Sequence, residues 1–462
     1  MADYSMKELK QWNEKIEEIV SEEGLDCYEQ QFEIVSYEDM IGYETYIGMP
    51  SHYPHWSYGK TYERLKTLNR YNLTGLPYEM VINSDPCIAY LMKDNTLLLQ
   101  ILTMAHVHGH NDFFKNNRLF KNATRASYTI EMFKNHAGRI REYISDPGIS
   151  YTRVERILNS AHALKLQTKR TAEEKKLSDP ENIEKILKDI NEEKSEHPLL
   201  EPKNKARKPL PDFKRIPLEP VEDILSFIIE YGKLNEWEKD IIDITRKETE
   251  YFIPQIETKI MNEGWASFFH YNILKKLDLP QDLYIEFIKR HNQVIRPHPG
   301  RINPYYLGFK MFEDIKERHK DNPGKIFEAR EIERDQSFIR RYLTQDLCKE
   351  LNLFQYYKNR DSYLISEVAD EEGWKKIRNN LALSAGLGSV PVIRVIEFNR
   401  NDNTMILEHV YDGRELELNY AYETLKHVVD LWEGKVMLVT YIENKRKVIL
   451  CDEERKITIL NA

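Results

Sequence analysis

Two histidines four residues apart are the strongest candidates for chemistry in this chain. His106 and His110 lie in the segment MAHVHGHNDFF, which follows an apolar run and is predicted to be helical. Residues at positions i and i+4 share one face of a helix, about 6 Å apart, so two imidazole nitrogens can bind one metal ion. His108 is expected to point in nearly the opposite direction. The pair therefore predicts part of a metal site.

Two carboxylate–histidine pairs with a spacing of seven add to this pattern. They are Glu155 with His162 in VERILNSAHAL, and Glu263 with His270 in NEGWASFFH. Each spacing places both side chains on one helical face, and the surrounding residues are apolar. Buried ionisable groups are costly unless they are paired or bound to metal. The sequence therefore predicts a metal site inside a helix bundle, with a metal-free, hydrogen-bonded His/Glu network as an open alternative.

Composition restricts the class of protein. The chain has 462 residues, of which 41% are hydrophobic and 31% charged, as expected for a globular protein. Lys and Arg number 67 against 76 Asp and Glu, a net charge of −9 that argues against a nucleic-acid partner. The four cysteines include no CxxC pair, so metal binding must depend on His and carboxylate. The most apolar stretch, 97–105, is too short to cross a membrane, and no leader pattern is visible. We therefore predict a cytoplasmic location without a membrane span.

The elements that position these residues are mainly helical. Helices are predicted over 6–22, from a cap at Asn95 to about 117, over 127–145, over 150–166 and repeatedly between 219 and 345. Apolar runs at 78–82 and 87–92 predict a β-hairpin. The tyrosine-rich stretch before residue 58 is expected to be irregular and to wrap over the bundle.

The predicted fold class is α+β. Residues 1–345 form a mainly α-helical large domain with the small β-hairpin and the metal site, and 360–462 form a small α+β C-terminal domain. The C-terminal domain is expected to have a β-α-β-β-α-β order if 361–369 and the helix after it are included. Residues 167–215 are rich in Lys, Glu and Pro, which is typical of a solvated helical insert ending in an extended linker.

Two short segments resemble the zinc-binding helices of gluzincin metallopeptidases. Residues 106–110 (HVHGH) are similar to the HExGH helix, and 262–266 (NEGWA) to the NEGxA helix, whose Glu is the third zinc ligand. The resemblance implies the ligands His106, His110 and Glu263. Val107 stands where that family has its general-base glutamate, and valine cannot accept a proton. Glu155, His108 or His270 would have to take this role.

Four longer segments resemble the stage V sporulation protein R (SpoVR) family: HWSYGKTYERLK, HVHGHNDFFKNN, TKIMNEGWASFFH and INPYYLGFKMFEDI. The arrangement of a large N-terminal region and a small C-terminal domain also matches. The resemblance implies a bacterial cytoplasmic protein linked to spore cortex (peptidoglycan) formation. A peptidoglycan-related substrate or cortex-assembly proteins would be its partners. Relatives also occur in bacteria that form no spores.

Two functions follow from these patterns. In the first, the protein is a metal-dependent hydrolase of a peptide or peptidoglycan-type amide bond. Its divalent metal, predicted to be zinc, is bound by His106, His110, Glu263 and His162. Glu155, as proton acceptor, and His270 are then the catalytic residues. In the second, the metal stabilises a non-catalytic scaffold or regulatory protein in cortex assembly, an alternative that the valine at position 107 favours.

Overall fold

The computed structural model describes residues 4–70, 79–170, 179–192, 216–298, 301–359 and 362–461. Helices dominate these ranges, so the predicted class, mainly helical with small β parts, is confirmed. The helices are α1 (Met6–Glu22), α2 (Tyr37–Thr45), α3 (Trp56–Arg70), α4 (Leu97–Asn116), α5 (Arg118–Ala123), α6 (Thr129–Ser145), α7 (Tyr151–Leu164), α8 (Asp179–Glu192), α9 (Ile224–Tyr231), α10 (Glu236–Glu257), α11 (Lys259–Lys276), α12 (Gln281–Val294), α13 (Pro304–Arg318), α14 (Lys325–Ile332), α15 (Asp335–Tyr342), α16 (Gln345–Glu350), α17 (Gly373–Ser384) and α18 (Leu418–Trp432). The strands are β1 (Gln30–Val35), β2 (Glu79–Ile82), β3 (Cys87–Met92), β4 (Gln355–Asn359), β5 (Ser362–Glu367), β6 (Ile393–Asn399), β7 (Thr404–His409), β8 (Val436–Ile442), β9 (Lys445–Cys451) and β10 (Ile457–Asn461).

Helix starts follow local capping chemistry. α1 occupies the predicted range 6–22, and the Ser5 side chain accepts a hydrogen bond from the Glu8 backbone N–H. The predicted cap of α4 at Asn95 is wrong by one residue. Thr96 caps the helix, because its hydroxyl accepts from the Leu99 N–H at 3.3 Å.

The N-terminal sheet has three strands in the order β1-β3-β2. The predicted hairpin is confirmed, since β2 and β3 are antiparallel. β1 pairs in parallel with β3 and was not predicted, because that segment was expected to be irregular. Glu79 is the first residue of β2 and lies opposite Leu91.

The C-terminal sheet has five strands in the order β10-β9-β8-β7-β6. The expected β-α-β-β-α-β order is confirmed along the chain as β5, α17, β6, β7, α18 and β8, but β5 pairs with β4 in a separate two-stranded sheet. Strand β10 completes the five-stranded sheet instead, by pairing with β9.

The chain divides into two compact units. Unit 1 contains Met1–Ser145 and Glu250–Ser389, and unit 2 contains Asp146–Thr249 and Val390–Ala462. The two contiguous domains predicted from the sequence, 1–345 and 360–462, stay a prediction. Of the charged insert 167–215, α8 is helical, whereas 171–178 and 193–215 lie outside the described residues. Within the described ranges, no helix combines the length and apolar character needed to cross a membrane.

Candidate metal centre

Close helix packing in unit 1 builds the site. α4 is buried without interruption from Leu98 to Phe114, and it packs against α11, which in turn packs against α13. A Cβ atom on Gly109 of α4 would lie 2.6 Å from the Ala266 Cα of α11. A Cβ atom on Gly264 of α11 would lie 2.4 Å from the backbone of Gly308 in α13. Glycine at these crossings therefore lets three backbones approach closely.

This packing brings two imidazoles and one carboxylate to a common point. The rings of His106 and His110 lie 4.7 Å apart between centroids. Their Nε2 atoms are 3.9 Å and 3.6 Å from Glu263 Oε2. These distances are too long for hydrogen bonds, but ligand atoms around a tetrahedral zinc ion are separated by about 3.4 Å. Glu263 Oε2 is buried and has no hydrogen-bond partner among the described residues.

The second nitrogen of each imidazole is already hydrogen-bonded. His110 Nδ1 lies 2.9 Å from Asn262 Oδ1, and His106 Nδ1 lies 2.9 Å from His270 Nδ1. Because an amide oxygen only accepts, the Nδ1 of His110 donates and its Nε2 carries the lone pair. Burial lowers the pKa of His110 to about 4, so the ring is neutral at pH 7. A neutral imidazole with its outer nitrogen fixed is the usual form of a metal ligand.

Glu79 adds a carboxylate that sequence analysis missed. Its Oε1 atom is 3.8 Å from His106 Nε2, and ligand atoms of Glu79, His106 and His110 all lie within 4.8 Å of one another. Burial raises the pKa of Glu79 above its ordinary value. The signal in the sequence was a single acidic residue opening the apolar strand EMVI, but no helical spacing connects it to the histidines.

Charge and exposure differ between the two sides of the cluster. His106 and His110 are only 3% and 7% exposed, whereas the side chains of Glu79 and Glu263 are 18% and 19% exposed. Burial acts to raise the pKa of Glu263, but the two neighbouring imidazoles hold it below its ordinary value. The carboxylate side of the cluster is therefore the side that solvent reaches.

Tyr305 of α13 contacts both kinds of ligand. Its ring stacks on His106 with 6.2 Å between centroids, and its hydroxyl is close enough to the Glu263 carboxylate for that charge to shift its pKa. The negative charge of Glu263 and burial raise the pKa of Tyr305 well above its ordinary value, so the hydroxyl keeps its proton at neutral pH. The segment INPYYLG was noticed in the sequence, but no role was predicted for this tyrosine.

The structure brings together four of the six predicted site residues: His106, His110, Glu263 and His270. Glu155 and His162 lie on α7 in unit 2, where Glu155 accepts a hydrogen bond from the Tyr151 hydroxyl. Their roles stay a prediction.

His108 provides a matched control within α4 for substitutions of the candidate ligands His106 and His110. It faces Phe32, 5.9 Å away between ring centroids, and within the described part of the chain neither ring nitrogen has a hydrogen-bond partner. Burial lowers its pKa to about 4, against 6.5 in an unfolded chain. Between these values the unfolded state binds a proton that the folded state does not, so stability falls as the pH drops from 6.5 to 4.

We expect His108→Leu to retain metal and to be at least as stable as the wild type at pH 7.5. At pH 4.5 its advantage should grow to between about 2 and 3 kcal/mol, because leucine removes the unfavourable proton uptake. Urea unfolding at both pH values measures this. Equal pH dependence in the two proteins would contradict a neutral, buried His108.

Comparisons with known proteins agree on one family. Residues 3–390 match the model described as SpoVR like protein, and 391–443 match that of the SpoVR-like C-terminal domain. A protein of Escherichia coli (strain K12) named "Uncharacterized protein YcgB" is 36% identical over 482 residues, covering 94% of this chain and 92% of the relative. No solved structure matches. The chain therefore belongs to the SpoVR family, as its sequence motifs predict.

Proposed function

We propose that unit 1 binds one divalent metal ion, zinc, through His106 Nε2, His110 Nε2 and Glu263. The observation that carries the proposal is the convergence of the three groups. Both Nε2 atoms face an orphaned, buried carboxylate oxygen at 3.6–3.9 Å. A bound cation would satisfy that oxygen, whose burial is otherwise costly. Two imidazoles and one carboxylate form a common ligand set of catalytic zinc.

We propose further that the metal serves hydrolysis of a peptide or peptidoglycan-type amide bond. A zinc ion in such a site polarises a carbonyl or activates water. Val107, which replaces the glutamate of HExGH, is fully buried and cannot help. Glu79 supplies the missing carboxylate from β2, on the exposed side of the cluster. The similarity of both helices to gluzincins and the sporulation link in the family name support this substrate class.

The second candidate is a metal-stabilised scaffold in cortex assembly, and Glu79 also favours this function. Glu79 lies close enough to both histidines to act as a fourth ligand. Four protein ligands close a zinc site and make it structural, whereas three ligands and an open position are typical of catalysis. The role of Glu79 therefore separates the two functions.

We expect Glu79→Gln to retain metal, with affinity within about tenfold of the wild type, and to lose amide hydrolysis by at least about 100-fold. Metal affinity is measured by competition with a chromogenic chelator. Hydrolysis is followed by mass spectrometry on purified peptidoglycan fragments. Glu33→Gln, at an exposed position of β1 in the same sheet, is the control and should change neither quantity.

A probe of the open position completes the test. The cobalt-substituted wild type should change its visible absorption spectrum when acetohydroxamate is added, because this anion binds an open coordination position. No spectral change, together with loss of metal from Glu79→Gln, would contradict the hydrolase and support the scaffold.

A further inference from the structure

Three histidines form a hydrogen-bonded chain that begins at the metal site and ends on another helix. His106 Nδ1 of α4 lies 2.9 Å from His270 Nδ1 of α11. His270 Nε2 then lies 2.8 Å from His291 Nδ1 of α12. His291 stacks on Tyr271 with 4.6 Å between centroids and is 3% exposed. We call these three residues the imidazole chain.

All three rings are buried, which favours their uncharged forms. A neutral imidazole has one N–H donor and one lone-pair acceptor. Each ring in the chain therefore donates from one nitrogen and accepts at the other.

These rules leave two arrangements for the imidazole chain. If the Nε2 of His106 carries the proton, its Nδ1 accepts from His270, and His270 in turn accepts from His291. If the Nε2 of His106 carries a lone pair, every hydrogen bond runs the other way. A mixed arrangement would place two lone pairs or two protons between neighbouring nitrogens, which is costly in a buried site.

We propose that metal occupancy sets the direction of hydrogen-bond donation along the imidazole chain, so that His291 reports whether the metal site is filled. The inference rests on the proposed metal site. Without metal, the Nε2–H of His106 faces two carboxylates, Glu79 at 3.8 Å and Glu263 at 3.9 Å, which favours a proton there. A bound cation needs the lone pair of that nitrogen instead.

The change is balanced in protons. His106 Nε2 releases one proton to solvent when the metal binds. One proton moves from His270 Nδ1 to His106 Nδ1, and another moves from His291 Nδ1 to His270 Nε2. His291 Nε2 then takes up one proton from solvent. Each ring is neutral before and after, so the chain changes direction without changing charge.

The functional consequence appears at α12. With metal bound, His291 Nε2 is a hydrogen-bond donor, and without metal it is an acceptor. His270 and His291 are thus positioning residues, since they act on the metal through His106. Residues that are hydrogen-bonded to a metal ligand alter metal affinity by about 10–100-fold when they are removed.

Long-range ¹H–¹⁵N NMR of the [¹⁵N]histidine-labelled full chain tests the proposal, with Zn²⁺ as the probe. One equivalent of Zn²⁺ should convert His270 and His291 from the Nδ1–H to the Nε2–H tautomer. His409, which is buried and bonded to Thr440 Oγ1, is an internal control and should not change. The His291→Asn spectrum identifies the signals of His291.

The variant His270→Phe interrupts the imidazole chain. In this variant His291 should no longer respond to Zn²⁺, and zinc affinity should fall about 10–100-fold. If His270→Phe fails to fold, His270→Asn is the substitute, with the same expected loss of response at His291. Zinc binding to the wild type without any tautomer change at His291 would overturn this proposal and leave the metal site intact. Absence of zinc binding would overturn the metal site itself.

Discussion

Gly264→Ala is expected to destabilise unit 1 by about 3 kcal/mol, because the added methyl group meets backbone and not a movable side chain. Its Cβ would lie 2.4 Å from the Cα and carbonyl carbon of Gly308. The same substitution on the other side of this contact, Gly308→Ala, would place a Cβ atom 2.1 Å from the Ile260 carbonyl oxygen. Relief requires α11 and α13 to separate, which also displaces Glu263, the neighbour of Gly264. Chemical unfolding and metal affinity should therefore both be affected.

Gly138 provides the control for this substitution. It lies inside α6, and a Cβ there would meet no atom within 4 Å. Gly138→Ala should therefore raise stability by about 0.5–1 kcal/mol, through helix propensity and chain entropy. If Gly264→Ala were as stable as Gly138→Ala, the close crossing of α11 and α13 would be wrong.

The double variant His106→Ala, His110→Ala should lose metal binding almost entirely, by more than about 1,000-fold in affinity, since two of three proposed ligands disappear. The melting temperatures of the metal-free wild type and the metal-free double variant should be similar, although their metal affinities differ strongly. His108→Leu, in the same buried helix, is the matched control and should retain full metal content. Equal metal in the wild type and the double variant would eliminate the site.

The same double variant separates function from structural support. If the metal mainly stabilises the fold, chelation should lower the melting temperature of the wild type to that of the double variant. If the metal serves catalysis at an open position, chelation should abolish hydrolysis with a smaller change in melting temperature. The partial exposure of Glu79 and Glu263 favours the second outcome.

Local sequence patterns predicted much of the fold. α1 and the β2–β3 hairpin follow from capping and turn chemistry within a few residues of chain. The parallel pairing of β1 with β3 joins residues 57 positions apart, such as Gln30 and Cys87, and no local pattern shows it. Pairing of β5 with β4 in its own sheet was missed for the same reason, because strand order depends on contacts made only in the folded chain.

The candidate site was predictable where it followed helical spacing. His106 and His110 share a turn of α4, and Glu263 and His270 share a face of α11, so both pairs were visible in the sequence. Other members come from separate elements that tertiary packing brings together. They are Glu79 of β2, His291 of α12 and Tyr305 of α13. α4 is also buried on all sides, so the polar pattern alone cannot say which of its histidines faces which neighbour.

Metal K-edge X-ray absorption of the purified, zinc-reconstituted wild type tests the metal site most directly. We predict one zinc per chain, bound by two imidazoles and by oxygen at about 2.0–2.2 Å, with no sulfur at about 2.3 Å. Substoichiometric zinc, or a spectrum with fewer than two imidazoles or with sulfur scattering, would contradict a centre formed by His106, His110 and Glu263.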